Sequence, residues 1–346
     1  MFANLPVLII YTGGTIGMVP GRFGLEPGTD FEPRLRDSLA SLPPARRASL
    51  PDFDVIETDH PIDSSAATPT EWQVIASLLA THYSKYRGFV VLHGTDTLAW
   101  TASSLAYQLQ GIDKPVVLSG AMAPLESPGS DALSNIEDAL RFSADTALQE
   151  VGLCFAGRLL RGVRSRKWST HDADAFISPN YPVLGEIVEH QAIVYANRGL
   201  DALQRGAPRF ELPDYRGLGD SPVVRMTLWP GISADRIARW LDDETTKGAL
   251  LEVWGGGNIP DDPQLIGVLA KAVGEGKLVA AISQCPEGSI AFGAYAAGNA
   301  LAEADVVSGD GMTPEATMTK MVHLLALPLP DDQRRSRFSA SLVGER

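Results

Sequence analysis

The chain is expected to fold as an α/β protein, with a larger N-terminal domain built on a mostly parallel, helix-flanked sheet and a smaller C-terminal α/β domain. Two observations predict this. Short runs rich in Val, Leu and Ile alternate with segments whose apolar residues recur every three or four positions, the pattern of βαβ units with strands buried on both faces. A polar stretch rich in Gly, Pro and Arg at 196–222 interrupts that alternation once, and the alternation then resumes.

The elements follow in order. PVLIIY at 6–11 is the first strand and runs directly into YTGGTIG at 11–17. Helical spacing marks 70–85, and GFVVL at 88–92 is the next strand. Helices at 97–110 and 131–143 flank a strand at 115–119 (PVVLS), and VGLCF at 151–155 is a further strand. These place the N-terminal domain at 1–195 and the connection at 196–222. Beyond it, strands at 223–228, 248–254 and 277–283 are followed by helices at 233–242, at 263–273, and near 294–303 and 314–326, giving a smaller domain over 223–330. The remaining residues, 331–346, are charged and are expected to form a surface tail. No internal repeat at a solenoid period is visible.

Composition sets limits on function. At 346 residues the chain can bury two cores, and 45% hydrophobic with 21% charged residues is ordinary for a soluble globular protein. Lys+Arg 29 against Asp+Glu 42 leaves a net charge of −13, which argues against nucleic-acid or acidic-membrane partners. No apolar run approaches the length of a bilayer span. The N-terminus lacks a basic leader, so its apolar run reads as a core strand and not a signal peptide. Cys154 and Cys285 are too few for a disulfide framework and read as reduced thiols in a cytoplasmic protein.

In a parallel sheet, ligands bind where strands end and loops begin. Three such loops carry unusual residues. The first is TGGTIG at 12–17, the second HGTDT at 93–97, and the third the basic RGVRSRK at 161–167. Neither Gly-rich loop has the lysine of a P-loop or the spacing of a dinucleotide fingerprint, so phosphate binding is poorly supported. Of the six histidines only His93 lies in one of these loops, and no group has metal-ligand spacing. What remains is Thr15, Thr95, Asp96 and Lys167. Two readings stay open on these residues alone. Thr95 or Asp96 can cap the helix at 97–110 while Lys167 is a solvated surface charge. Alternatively, a lysine beside hydroxyls activates a threonine.

These motifs together resemble the bacterial L-asparaginase/glutaminase family, in its intracellular type I branch. TGGTI after an aliphatic strand and GFVVLHGTDTL are similar to the family's two signatures. DSSAATPTEW at 63–72, SGAMAPL at 119–125, RGVRSRK at 161–167, DAFISPN at 174–180, WPGISAD at 229–235, WGGGNIP at 254–260, SQC at 283–285 and MTPEATMTK at 312–320 extend the likeness over nearly the whole chain.

The resemblance implies hydrolysis of L-asparagine to L-aspartate and ammonia without a cofactor. It implies Thr15 as primary nucleophile, Thr95 as second catalytic threonine, and Lys167 with Asp96 around Thr95. An acyl-enzyme divides amide cleavage into two easier steps, and an oxyanion donor is typically worth roughly 3–4 kcal/mol. Ser64 and Ser65 would receive the substrate's α-carboxylate and Asp96 its α-ammonium. Asn258 resembles a residue that reaches the site from a neighbouring subunit, which implies a homo-oligomer, dimer or tetramer, with active sites between subunits. Two positions depart from the family pattern. Leu25, with Phe23 nearby, stands where relatives carry a lid tyrosine, although the Gly- and Pro-rich segment MVPGRFGLEPGTD still reads as a lid. Arg166 stands beside Lys167 where type I relatives have a threonine lining an effector pocket, to which Cys285 corresponds. A broader glutaminase–asparaginase, the asparaginase-like subunit of archaeal tRNA amidotransferase and a catalytically weak amino-acid sensor are the competing readings.

Overall fold

The computed structural model describes residues 5–292 and 296–346, and the chain divides into two compact units, Met1–Leu212 and Pro213–Arg346. The first unit begins with β1 (Val7–Tyr11), then the hairpin β2 (Met18–Gly21) and β3 (Gly24–Pro27), helices α1 (Phe31–Ala40) and α2 (Pro44–Ala48), and β4 (Phe53–Glu57). Next come α3 (Pro69–His82), β5 (Gly88–Leu92), α4 (Leu98–Gln108), the short β6 (Leu109–Gln110), β7 (Val116–Ser119), α5 (Ala132–Ser143) and β8 (Val151–Phe155). The unit ends with β9 (Arg158–Arg161), β10 (Arg166–Lys167), β11 (Phe176–Ile177), β12 (Gly185–Val188), β13 (Gln191–Val194) and β14 (Arg209–Phe210).

Eight of these strands form one sheet in the order β13-β12-β9-β8-β7-β5-β1-β4. From β8 through β7, β5 and β1 to β4 every pairing is parallel, and from β8 to β13 every pairing is antiparallel. All five residues of β1 and of β5 are buried, because helices cover both faces. On one face Val7, Ile9 and Tyr11 pack with Val90 and Leu92 against Phe31, Leu35 and Leu39 of α1 and Ile136, Ala139 and Leu140 of α5. Leu8 and Ile10, pointing the other way by the two-residue period of a strand, are equally buried.

The second unit holds a four-stranded parallel sheet, β15 (Val223–Thr227), β16 (Gly248–Val253), β17 (Leu278–Ser283) and β18 (Val307–Ser308), hydrogen-bonded in that order. Its helices are α6 (Ala234–Leu241), α7 (Pro263–Gly274), α8 (Ala296–Glu303), α9 (Pro314–Ala326) and α10 (Asp331–Ser339). Residues 294 and 295 of the expected helix near 294–303 lie outside the described residues. The α/β expectation holds, with two parallel-rich sheets in series.

Three segments differ from expectation. The segment read as a lid loop is the antiparallel hairpin β2–β3, with Pro20 opposite Leu25 and its tip exposed. Residues 196–212, expected within the connection, are held on the first unit. Arg209 and Phe210 pair with Gln110 and Leu109, the Glu211 amide donates to the Gln108 carbonyl, and Leu200 N–H donates to Glu150. Their polar, Gly-rich composition hides this because main-chain bonds, not apolar periodicity, hold them. The expected surface tail is also partly inside: Phe338 and Glu345 are fully buried and Val343 nearly so. The charges lie on the outer turns of α10, while its one aromatic faces in. Among the described residues, no helix is long and apolar enough to cross a membrane.

Candidate active site

The C-terminal ends of the parallel strands β1, β4 and β5 bring three loops together, and glycine makes the approach possible. Gly13 and Gly14 take φ of +114° and +90°, a region L-side chains rarely adopt. A Cβ on Gly14 would lie 2.4 Å from both the Cα and the N of Gly94, and one on Gly13 would lie 2.7 Å from the Ile62 carbonyl oxygen. A Cβ on Gly94 would in turn fall 2.3 Å from the Ser64 hydroxyl oxygen. Backbone therefore rests on backbone at two of these points and on the Ser64 side chain at the third. The register is set by Thr12, whose N–H and hydroxyl both donate to the Leu92 carbonyl at 3.0 Å, and by Ile62 N–H, which donates to Thr12 O at 2.6 Å. Thr15 opens a 3₁₀ turn, Thr15–Gly17, directly after Gly14, and is half-buried.

The loop after β4 makes its own short turn, Ser64–Ala66. Asp63 caps it, accepting from the N–H and from the hydroxyl of Ser65, each at 2.9 Å. Those two donors hold the Asp63 carboxyl below its ordinary range, the backbone N–H being the larger cause. Ser64 is buried and Ser65 exposed.

After β5, the imidazole of His93 is buried. Its Nδ1 lies 2.8 Å from the Gly94 carbonyl, which can only accept, so that nitrogen carries the proton and Nε2 accepts from Thr101 at 3.2 Å. Burial lowers the His93 pKa, and the ring stays neutral. Thr95 and Asp96 follow. The helix that follows begins at Leu98, with Thr97 at the N-cap, so neither Thr95 nor Asp96 caps it. Instead Lys167 Nζ donates to Thr95 Oγ1 at 3.0 Å and to Asp96 Oδ1 at 2.7 Å. Lys167 reaches there from β10, anchored by Phe176 opposite it in register and by the turn Gly162–Arg164, whose Gly162 carbonyl accepts from Ser103 of α4 and from Ser165. With Asp96 61% exposed, the ion pair adds about 0–1 kcal/mol at most. Its value is positional: an ammonium held against a threonine hydroxyl and a carboxylate, where it polarises the hydroxyl.

Thr15, Ser64, Ser65, Thr95 and Asp96 lie on loops of the first unit and Lys167 on β10, and the contacts above bring these segments together. Asn258 and Cys285 lie in the second unit, in neighbouring turns at the C-terminal ends of β16 and β17. Trp254 and Asn258 exchange backbone bonds of 3.0 and 2.8 Å, and the Ser283 hydroxyl donates to the Gly255 carbonyl at 2.7 Å. The Cys285 thiol is exposed. Arg166 pairs with Ile177 on the β10–β11 ribbon. Leu25 is 48% and Phe23 87% exposed on the hairpin, and neither offers a hydroxyl. Two residues with parts in this geometry, Asp63 and Thr97, were not anticipated. For Asp63 a signal existed, since Asp two residues before a turn N–H is the usual Asx-turn placement.

Residues 6–199 match the family model described as Asparaginase, N-terminal, and residues 222–338 match the Glutaminase/Asparaginase C-terminal domain. The chain is 38% identical over 347 residues to L-asparaginase 1 of Escherichia coli K12, covering 98% of this chain and 97% of that one. Among solved structures it is similar to L-asparaginase I from Vibrio cholerae, with 36% identity, a TM-score of 0.87 and 99% of both chains covered. The thermostable L-asparaginase from Thermococcus kodakarensis superposes with a TM-score of 0.85 at 27% identity, again over 99% of each chain.

Proposed function

The chain belongs to the asparaginase family, and from that premise we propose that it is an L-asparaginase, an amidohydrolase that releases ammonia and L-aspartate from L-asparagine through an ester on Thr15. Thr15 Oγ1 attacks the side-chain amide carbon, and the tetrahedral intermediate expels ammonia. Water then cleaves the β-aspartyl ester and restores the hydroxyl. Thr95, polarised by Lys167, carries protons between leaving group, water and solvent. The Ser64–Ser65 turn takes the α-carboxylate, with Ser65 turning its hydroxyl from Asp63 to the ligand. Asp96 takes the α-ammonium, leaving one oxygen on Lys167.

The observation that carries this reading is the fork of Lys167 Nζ between Thr95 Oγ1 and Asp96 Oδ1, on the loop against which Gly14 is pressed. A helix-cap role for the Thr-Asp pair would not recruit a lysine from 71 residues away. Asn258 is assigned to the active site of a second copy in a cytoplasmic homo-oligomer. Arg166 in the first unit and Cys285 in the second are each carried as candidate effector-site residues, with the arginine either blocking or recasting that site.

Ammonia release from L-asparagine and L-glutamine tests the assignment. Wild-type protein should hydrolyse asparagine, and Thr15→Ala should lose on the order of a thousandfold or more in kcat. A Thr15→Ala variant that keeps its rate removes Thr15 as nucleophile. Glutamine, one methylene longer, should be slower by roughly 10–200-fold in kcat/KM, and equal rates would make this a glutaminase–asparaginase.

A further inference from the structure

Thr97 occupies a helix N-cap but does not use its side chain there. At α3, α6, α7 and α9, the N-cap residues Thr68, Ser233, Asp262 and Thr313 each accept a hydrogen bond from an N–H in the first turn. This is why Ser, Thr and Asp are favoured at that position. Thr97 has φ −116° and ψ 17°, its carbonyl accepts from Thr101 N–H as an N-cap carbonyl should, and its hydroxyl makes no cap bond. The hydroxyl instead donates to the Ser64 carbonyl at 2.8 Å, 33 residues away. α4 thus goes without a side-chain cap while the loop after β4 gains a tether.

The position of that tether gives it meaning. Thr97 follows Asp96 directly and stands two residues from Thr95, the pair held by Lys167. Ser64 lies against Gly94 on the same loop. The Ser64 carbonyl also accepts from Ala67 N–H, at 3.4 Å, so the shorter bond from Thr97 is the one that fixes the turn from outside. Asp63 holds the turn from the other side through Ser65.

We propose that Thr97 is a positioning residue for substrate binding: its hydroxyl locks the Ser64–Ser65 turn to the Thr95–Asp96 loop, so that the groups for the α-carboxylate and the α-ammonium stand at a fixed separation. The inference rests on the assignment of Ser64 and Ser65 to the α-carboxylate. Losing the tether lets the two ends drift, which weakens binding of a short zwitterion while the Lys167–Thr95 contact survives. The consequence falls on KM and leaves kcat nearly intact.

Steady-state ammonia release by Thr97→Val, Thr97→Ser and Ser65→Ala tests this. Valine keeps the branched shape and removes the donor; serine keeps the donor. The expected result is a rise in KM for L-asparagine of roughly fivefold to tenfold in Thr97→Val, the equivalent of one hydrogen bond. In that variant kcat should stay within about twofold of wild type. Thr97→Ser should restore KM. Should valine not fold, Thr97→Ala removes the same donor and carries the same expectation. An unchanged KM in the donor-less variant overturns the inference, and so does a fall in kcat that serine does not rescue. If Ser65→Ala raises KM while Thr97→Val does not, only the tether falls. If neither raises it, the carboxylate assignment falls with it.

Discussion

His93 sits two residues from Thr95, yet both of its ring nitrogens are occupied by the loop and by α4, so it serves the fold and not proton transfer. Burial lowers its pKa. A depressed histidine pKa means that the unfolded chain takes up a proton near pH 6.5 while the folded chain does not. The stability contributed is therefore full above about pH 6.5 and is lost as pH falls below it, by at most about 1.4 kcal/mol per pH unit. Melting temperatures of wild type and His93→Gln between pH 5 and 8 should converge toward the acid end, whatever the offset at pH 8. Parallel curves would mean that His93 is not buried as neutral imidazole. Leu25 poses the complementary case on the hairpin: an apolar side chain, half exposed, that offers no hydroxyl.

The contact between the loops after β1 and β5 depends on two glycines facing each other, and that makes a sharp prediction. Gly14→Ala adds a methyl at φ +90° and drives it into the Gly94 backbone, which no rotamer can relieve. A cost of about 3 kcal/mol or more is expected, with ammonia release falling at least tenfold in whatever folds. Gly24→Ala on the hairpin, where an added Cβ meets nothing within 4 Å, isolates the effect of φ alone. The elements of the first unit were unequally legible in the sequence. β5 and β8 are read off to the residue because a strand buried on both faces is an unbroken apolar run. β4, FDVIE, escapes because it lies at the sheet edge with Asp54 and Glu57 exposed. α1 escapes because Pro33 and its charges break the helical pattern. The β2–β3 hairpin escapes because Pro and Gly occupy half of its strand positions. Within the site, motif order pointed to Thr15, Ser64, Thr95 and Lys167. Which hydroxyl capped the helix and which met the lysine is a matter of ångströms, and no spacing in the sequence carries it.

The two units are closed by different means. The first is shut by helices on both faces of its sheet, whereas the second uses residues 338–345, beyond its last strand. Lys320 of α9 is fully buried, donates to the carbonyls of Phe338 and Ala340 at 2.8 and 2.6 Å, and is ion-paired with Glu345. Glu345 also accepts the N–H groups of Leu342 and Val343. Burial pulls the Lys320 pKa down to about 8. Removing one member of such a pair leaves an uncompensated charge, so Lys320→Met should cost about 3–5 kcal/mol. The double variant Lys320→Met with Glu345→Gln should recover much of that in denaturant titrations; additive costs would show that the two groups are uncoupled. The same clamp has a consequence for synthesis. Phe338 and Glu345 lie well beyond the last strand of the second unit, so that unit cannot complete its core until they have left the ribosome. The first unit, whose strands have all emerged by then, folds as translation proceeds. The polypeptide therefore matures in two stages, and a stop codon or proteolytic nick ahead of Phe338 leaves a folded first unit attached to an open second one that presents its apolar surface to chaperones and proteases.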